Sequence, residues 1–269
     1  MLDPINIHTL DAPELEPYRT LRRPLDHQRR GIFVAEATKV VERLLRSPLE
    51  VLSCLLTPEW LTEFTPLLEA RSPRPSLYVA EKPVLEKIVG FHLHQGAMAV
   101  ARIPKPVALE ELAAPLADPL LLVALDGMAN AENVGVLVRN CAAFGVDGLI
   151  VGETSSSPYL RRAVRNSMGT VFAMSIVHVD DLAASLQRLE KQFAVRAIAA
   201  HPAGTHAASA SLRAPRKCLV FGSEGLGVSP PVLKACSLHV SIPMAPGVDS
   251  LNVASASAVL LYEAVRSRP

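Results

Sequence analysis

Asn133 and Arg139 stand six residues apart in DGMANAENVGVLVRN, the polar stretch that leaves the apolar run Leu120–Leu125. An amide and a guanidinium at such a turn can orient an oxygen or bind a phosphate. Six residues turn about 240° around a helix, so the two share a site only if the loop folds back over it. Taken alone, Asn133 serves equally well as an N-cap and Arg139 as a surface charge. A second loop, GSEGLGVSP, follows Cys218–Phe221. Gly222, Gly225 and Gly227 let its backbone approach a ligand closely or take positive φ. Glu224 is its only charge and, alone, serves equally as a solvated turn carboxylate. The dinucleotide pattern Gly-x-Gly-x-x-Gly fails because Pro230 holds the third glycine's place, and a Walker lysine is absent. In a third loop, His239–Ile242 runs into a Pro/Gly segment before Ser250, which reads as the N-cap of a helix. Asn252 falls in its first turn, followed by the small residues Ala254 to Ala258. Small side chains let another backbone pack close, and an amide at the start of so apolar a helix needs a partner.

Loops of this kind bind ligands when they leave the carboxyl ends of parallel strands. After position 119 the expected strands are Leu120–Leu125, Gly148–Val151, Val171–Val177, Ala194–Ala199, Cys218–Phe221 and His239–Ile242. Expected helices are Val134–Phe144 closed by Gly145, one opening at Ser157-Pro158, Asp180–Gln192, one opening at Ser229-Pro230, and Ser250–Arg266. Alternation at this spacing predicts an α/β fold with a mainly parallel, doubly wound sheet. Ahead of it, strand-like Ile32–Val34, Val51–Leu56, Leu77–Ala80 and Ala97–Ile103 interleave with helical Glu36–Arg46, Pro58–Ala70 and Pro83–Val89, a small α/β domain. Four prolines between Ile103 and Pro119 suit a linker. The expected organisation is a small domain over 1–104, a linker over 105–118 and a second domain over 119–269.

The formal net charge of +1 neither requires nor excludes nucleic acid, since a local patch suffices. Cys54, Cys141, Cys218 and Cys236 form no CxxC pair, so free thiols in a reducing cytoplasm are expected. The acidic start of the chain does not read as a signal peptide, and no apolar run reaches the roughly 18 residues of a membrane span, so no membrane partner is expected. His92, His94, His201 and His206 read as scattered loop histidines, and no metal is expected.

Taken in order, the three loops resemble the signature motifs of the SpoU/TrmH family of the SPOUT methyltransferases. Asn133-Val-Gly135 through Arg139 to Gly145 resembles the first motif, and Phe221-Gly-Ser-Glu-Gly225 the second. Ile242-Pro-Met244 with Ser250-Leu-Asn252-Val resembles the third. Ser167-Met-Gly169 resembles a further recurrent segment. The front half, through IFVAEATKVVERLL and HQGAMAVAR, resembles the family's ribosomal-protein-like substrate-binding domain. Ala131 stands where the family often has proline, a departure that leaves Asn133 and Arg139 in place.

The resemblance implies a doubly wound sheet with a deep trefoil knot, a homodimer through the C-terminal domain, and transfer of a methyl group from S-adenosylmethionine to an RNA ribose 2′-hydroxyl. By the same likeness Gly222, Ile242, Met244 and Leu251 would contact the cofactor, and Arg139 would be catalytic, with Asn133, Glu224, Ser250 and Asn252 completing the pocket. Arginine is a poor base, so Arg139 is better suited to binding the target phosphate or polarising the hydroxyl. Two arginine clusters suit phosphate contacts: Arg22, Arg23, Arg29 and Arg30 near the start, and Arg161, Arg162 and Arg165 on one expected helix. The alternatives are a catalytically silent RNA-binding protein of the same fold and a base-methylating relative. A separate N-terminal domain leans the substrate toward ribosomal rather than transfer RNA.

Overall fold

A computed structural model of the chain describes residues 2–9, 11–89, 96–113, 118–206 and 212–266. In chain order its first elements are β1 (Pro4–Asn6), α1 (Glu16–Arg19), α2 (Pro24–Arg29), β2 (Ile32–Glu36), α3 (Thr38–Arg46), β3 (Val51–Leu56), α4 (Pro58–Glu69), β4 (Ser76–Val79), α5 (Lys82–Val89) and β5 (Ala97–Arg102). There follow α6 (Leu109–Ala113), β6 (Leu120–Asp126), α7 (Ala131–Ala143), β7 (Gly148–Val151), α8 (Arg161–Asn166) and β8 (Ile176–His178). The last are α9 (Leu182–Phe193), β9 (Arg196–His206), β10 (Arg216–Gly222), α10 (Pro230–Ala235), β11 (Leu238–Ser241) and α11 (Val253–Arg266). Two compact units result: Met1–Pro104 with Tyr159–Ala173, and Lys105–Pro158 with Met174–Pro269.

The first unit is built on a mixed sheet, order β1-β4-β3-β5-β2, in which β5 runs antiparallel to β2 and β3. One face buries Leu15, Tyr18, Val34, Leu55, Met98 and Val100 among others. The buried Tyr18 hydroxyl is satisfied by Ser53 Oγ at 2.8 Å. The segment 159–173 was expected to belong with 119–269; it clusters instead with this unit, for two physical reasons. Phe33 packs against the rings of Tyr159 and Phe172, at centroid distances of 5.4 and 5.6 Å. Glu36, 4% exposed, accepts from Arg161 at 2.5 Å and from Arg165 at 3.0 Å. A carboxylate so buried requires such partners.

The second unit is an all-parallel sheet, order β11-β9-β10-β6-β7-β8. Leu120, Leu122 and Ala124 of β6 pack with α6, α9 and α10, while α7 packs with α11, which packs on β10 across the opposite face. Helices on both faces make it doubly wound. Leu182, Leu186 and Leu189 of α9 recur at helical spacing and are fully buried, which is why this segment is helical. The chain steps outward from β6 to β8, then returns to fill the other side, so the order reverses between β6 and β10. A ligand crevice opens at such a reversal, above the carboxyl ends of the strands.

Several expected boundaries move. The expected linker contains α6, whose Leu109 and Leu112 belong to the second unit's core. The helix expected at Ser157-Pro158 begins instead at Arg161, after Leu160. Ser155 and Ser156 explain the delay: their hydroxyls donate to the carbonyls of Leu125 and Ala129 and hold the chain against the loop after β6. Val171–Val177 is a short 3-10 turn, Thr170–Ala173, followed by β8. Ser229 does precede α10 with Pro230 at its first position, but its side chain makes no cap bond. Its amide instead donates to Asp126 Oδ2 at 2.6 Å, tying α10 to the end of β6. Among the described residues no helix is long and apolar enough to cross a membrane.

Candidate functional site

Three loops leave the sheet where its order reverses and beside it: Gly127–Asn130 after β6, Ser223–Ser229 after β10, and Ile242–Asn252 after β11. In the second, Ser223 and Gly227 exchange backbone hydrogen bonds of 3.0 Å each, folding the loop back on itself. A side chain at position 222 would put Cβ 2.1–2.2 Å from the backbone of Gly227 and Val228, so glycine is needed there for the loop's own closure. Gly227 turns the chain at φ +69°.

The helix after β6 starts three residues earlier than expected, with Asn130 as its cap: Oδ1 accepts from the Glu132 amide at 2.9 Å. Asn133 is thereby released from capping. Its Nδ2 donates to Glu224 Oε1 at 2.5 Å, and its Oδ1 accepts from Asn252 Nδ2 at 3.2 Å. Asn252, not Ser250, caps α11, its Oδ1 accepting from the Ala254 amide at 2.9 Å. The partner this amide required is therefore Asn133. One hydrogen-bonded chain joins all three loops.

Asn140, one further turn pair along α7 from Asn133, was missed by the sequence reading. Its Nδ2 donates to the Ala254 carbonyl at 2.8 Å and to Ser257 Oγ at 2.9 Å. The i, i+7 spacing of two asparagines in an apolar helix was the available signal. The small residues of α11 admit this contact, as expected of them. Gly145 ends α7 as its C′ residue at φ +62°.

A cavity of about 860 Å³ lies beside this chain. Gly222, Glu224, Ile242, Met244, Ser250, Leu251 and Asn252 line it, with Phe221, His201 and Asp249. Its size lies in the range of small-molecule sites, roughly 300–1,000 Å³, and its walls are mostly backbone and apolar side chains with a few polar groups. These are the surfaces an adenine and a thioether-like chain need, so the residues fit S-adenosylmethionine. Asn133 stands at the rim through its bonds to Glu224 and Asn252. Arg139 does not line the cavity: it is exposed on α7, and among the described residues it makes no hydrogen bond or ion pair.

The arginine clusters are only partly free. Arg30 is paired with Glu16, and Arg29 lies 3.7 Å from Asp26, whereas Arg22 and Arg23 are exposed. Arg161, 17% exposed, is not the open phosphate contact expected of it, because Glu36 holds it. Arg165 keeps half its surface while bonded to the same carboxylate, and Arg162 is exposed. Helices α2 and α8 both pack on the edge strand β2, within the first unit. Burial holds the His27 imidazole below its ordinary value, and Arg30 and Arg161 push it the same way against Glu16 and Asp26.

Burial pushes the thiols of Cys141, Cys218 and Cys236 up, that of Cys236 to about 12, with Asp126 adding to the last. They are core hydrophobes rather than nucleophiles. His92 and His94 lie outside the described residues, as does the side chain of His206. Among the described residues no three His, Cys, Asp or Glu side chains converge.

Residues 120–262 match the model of the SpoU rRNA Methylase family. An uncharacterised tRNA/rRNA methyltransferase of Mycobacterium tuberculosis is 33% identical over 99% of this chain and 93% of its own length. A 23S rRNA (guanosine-2′-O-)-methyltransferase of Shewanella oneidensis is 32% identical over 85% of this chain and 94% of its own length. Among solved structures, an AdoMet-bound rRNA methyltransferase from Sinorhizobium meliloti superposes with a TM-score of 0.85 at 22% identity, covering 98% of each chain. The SpoU methyltransferase AviRb of Streptomyces viridochromogenes, in complex with AdoMet, gives 0.80 at 23% identity, over 95% of this chain and 98% of its own.

Proposed function

The chain belongs to the SpoU rRNA Methylase family, and from that premise we propose that it methylates a ribose 2′-hydroxyl, in ribosomal RNA by preference over transfer RNA. It is an S-adenosylmethionine-dependent RNA methyltransferase. The observation that carries the reading is the chain Glu224–Asn133–Asn252, which ties three loops together beside one cavity where the sheet order reverses. The 2′-O activity of the Shewanella relative supports ribose, as does Ser250-Leu251-Asn252. The buried thiols argue against base chemistry that needs a cysteine nucleophile.

Bound S-adenosylmethionine supplies an electrophilic methyl group, so the protein's work is to place the attacking oxygen and stabilise its developing charge. Gly222, Ile242, Met244 and Leu251 are assigned to the cofactor, with main-chain groups and apolar contacts suited to an adenine. Ser250 is exposed and lines the cavity, and among the described residues its hydroxyl makes no hydrogen bond. Asn133, Glu224 and Asn252 keep the loops in register. Arg139 is assigned the RNA phosphate or the hydroxyl itself, and since it sits outside its own chain's cavity, it would serve the site of a second copy. Val259 and Tyr262 of α11, 42% and 54% exposed, support a homodimer through this unit. The packing of α7 on the small-residue face of α11 supports the family's deep trefoil knot. The four unpaired cysteines support a reducing, cytoplasmic setting.

The first unit is assigned the RNA, with Arg22, Arg23, Arg29, Arg162 and Arg165 as phosphate contacts and Arg161 as their support. RNA affinity is expected to fall steeply with salt, and the slope to flatten by roughly 0.7 for each contact removed. Titrations of the wild type and of Arg22→Ala/Arg23→Ala at several ionic strengths check this; an unchanged slope removes the pair from the interface. The function itself is tested by incubating the protein with total RNA and methyl-labelled S-adenosylmethionine and mapping the label. Label on a ribose is expected. Label on a base overturns the ribose assignment, and no label in any RNA while cofactor binds would favour a silent RNA-binding protein.

A further inference from the structure

His201 stands midway along β9, in the stretch Ala200–Ala203 that forms one wall of the cavity. Sequence reading treats it as a scattered loop histidine, and none of the family motifs includes it. The structure gives its ring a fixed hydrogen-bonding sense. Nδ1 accepts from the Ala203 amide at 3.1 Å, so its lone pair is used there and the ring carries its proton on Nε2. Nε2 is therefore a donor. The neighbouring imidazole of His239, 6.0 Å away between centroids, is turned to another use, its Nε2 donating to the Leu233 carbonyl at 3.1 Å.

Among the described residues the remaining ionisable side chains lining the cavity are the carboxylates of Glu224 and Asp249, with no lysine or arginine. This inventory mirrors the charges of the cofactor. S-adenosylmethionine carries two cationic centres, its sulfonium and its ammonium, and one anion, its carboxylate. Two carboxylates suit the cations, and the imidazole, the one ionisable donor among the described lining residues, suits the anion. An anion brought into such a cavity without a donor would keep much of its desolvation cost. A side-chain donor would offset it with a charge-assisted hydrogen bond.

We propose that His201 is a cofactor-binding residue whose Nε2–H holds the carboxylate of the amino-acid end of S-adenosylmethionine. The proposal rests on the reading of this cavity as the cofactor site. Two ligands separate the two ideas. S-adenosylhomocysteine carries the carboxylate; 5′-methylthioadenosine has the same adenosine and sulfur but lacks the amino-acid end.

Affinities of both would be measured by calorimetry for the wild type, His201→Ala and His201→Asn. His201→Ala should bind S-adenosylhomocysteine about tenfold more weakly, the scale of a lost charge-assisted bond, and 5′-methylthioadenosine unchanged within about twofold. His201→Asn, whose amide also donates, should recover part of the loss. Unchanged 5′-methylthioadenosine binding also reports that the variant's cavity is intact. Equal weakening of both ligands, or of neither, overturns the assignment to the carboxylate. Failure of the wild type to bind either ligand overturns the cofactor-site reading beneath it.

Discussion

Replacing Arg139 by alanine is expected to lower RNA methylation about a hundredfold or more, the scale seen when one preorganised donor to a developing oxyanion is removed. Cofactor affinity should not change, because Arg139 does not line the cavity. Its place on α7 makes a sharper forecast. Asn133 and Asn140 face α11, while Arg139 lies well around the helix from both, exposed. If it serves the cavity of a second copy, two inactive variants should complement each other. Arg139→Ala mixed with a cavity variant such as Gly222→Ala, refolded together, should form mixed dimers with one intact composite site. Half the dimers would be mixed and half their sites complete, so about a quarter of wild-type activity should return. No recovery, with mixed dimers demonstrated, would place Arg139 and the cavity of the same chain in one site.

The second large effect is on stability. Glu36→Ala should destabilise the first unit by about 3–5 kcal/mol, because it leaves the largely buried Arg161 guanidinium without its counter-charge. Arg165, half-exposed, can turn to water and should add little. Urea unfolding of the variant measures the loss. The double variant Glu36→Leu/Arg161→Met should recover much of it, since a hydrophobic replacement of a buried pair is often neutral. A loss below about 1 kcal/mol for Glu36→Ala would mean that the aromatic contacts of Phe33, and not this ion pair, hold residues 159–173 in place.

Both expectations turn on facts that local sequence patterns do not carry. Continuous apolar runs read directly as buried strands: Val51–Leu56 and Gly148–Val151 match their observed bounds. The period of Leu182, Leu186 and Leu189 read directly as a helix face. Caps were harder. Asn130, Asn133 and Asn252 are the same residue type, and which of them caps a helix depends on where the loop after the neighbouring strand β10 delivers Glu224. Ser250 and Ser157 look like caps but are outcompeted, one by Asn252 and the other by serines that bond to the loop after β6. The pairing of Arg161 with Glu36 spans 125 residues, so a run of arginines read as an open patch concealed a structural tie. The family motifs picked out three loops that hydrogen bonds join beside one cavity, yet could not say that Arg139 would stand apart from the others within one chain.

The hydrogen bonds through Asn133 also have a direction. Each group donates toward Glu224: the Ala254 amide to Asn252, Asn252 to Asn133, and Asn133 to the carboxylate. The sequence of donors starts at the N-terminus of α11, where the helix dipole is positive, and ends on a negative charge, so every member is polarised the same way. An aspartate at 133 would reverse nothing and oppose everything, setting one carboxylate against another. A neutral residue at 224 would remove the terminus that fixes which way both amides point. The three positions, far apart in the chain, are therefore not free to drift singly. Viable descendants of this sequence must keep all three or exchange them together.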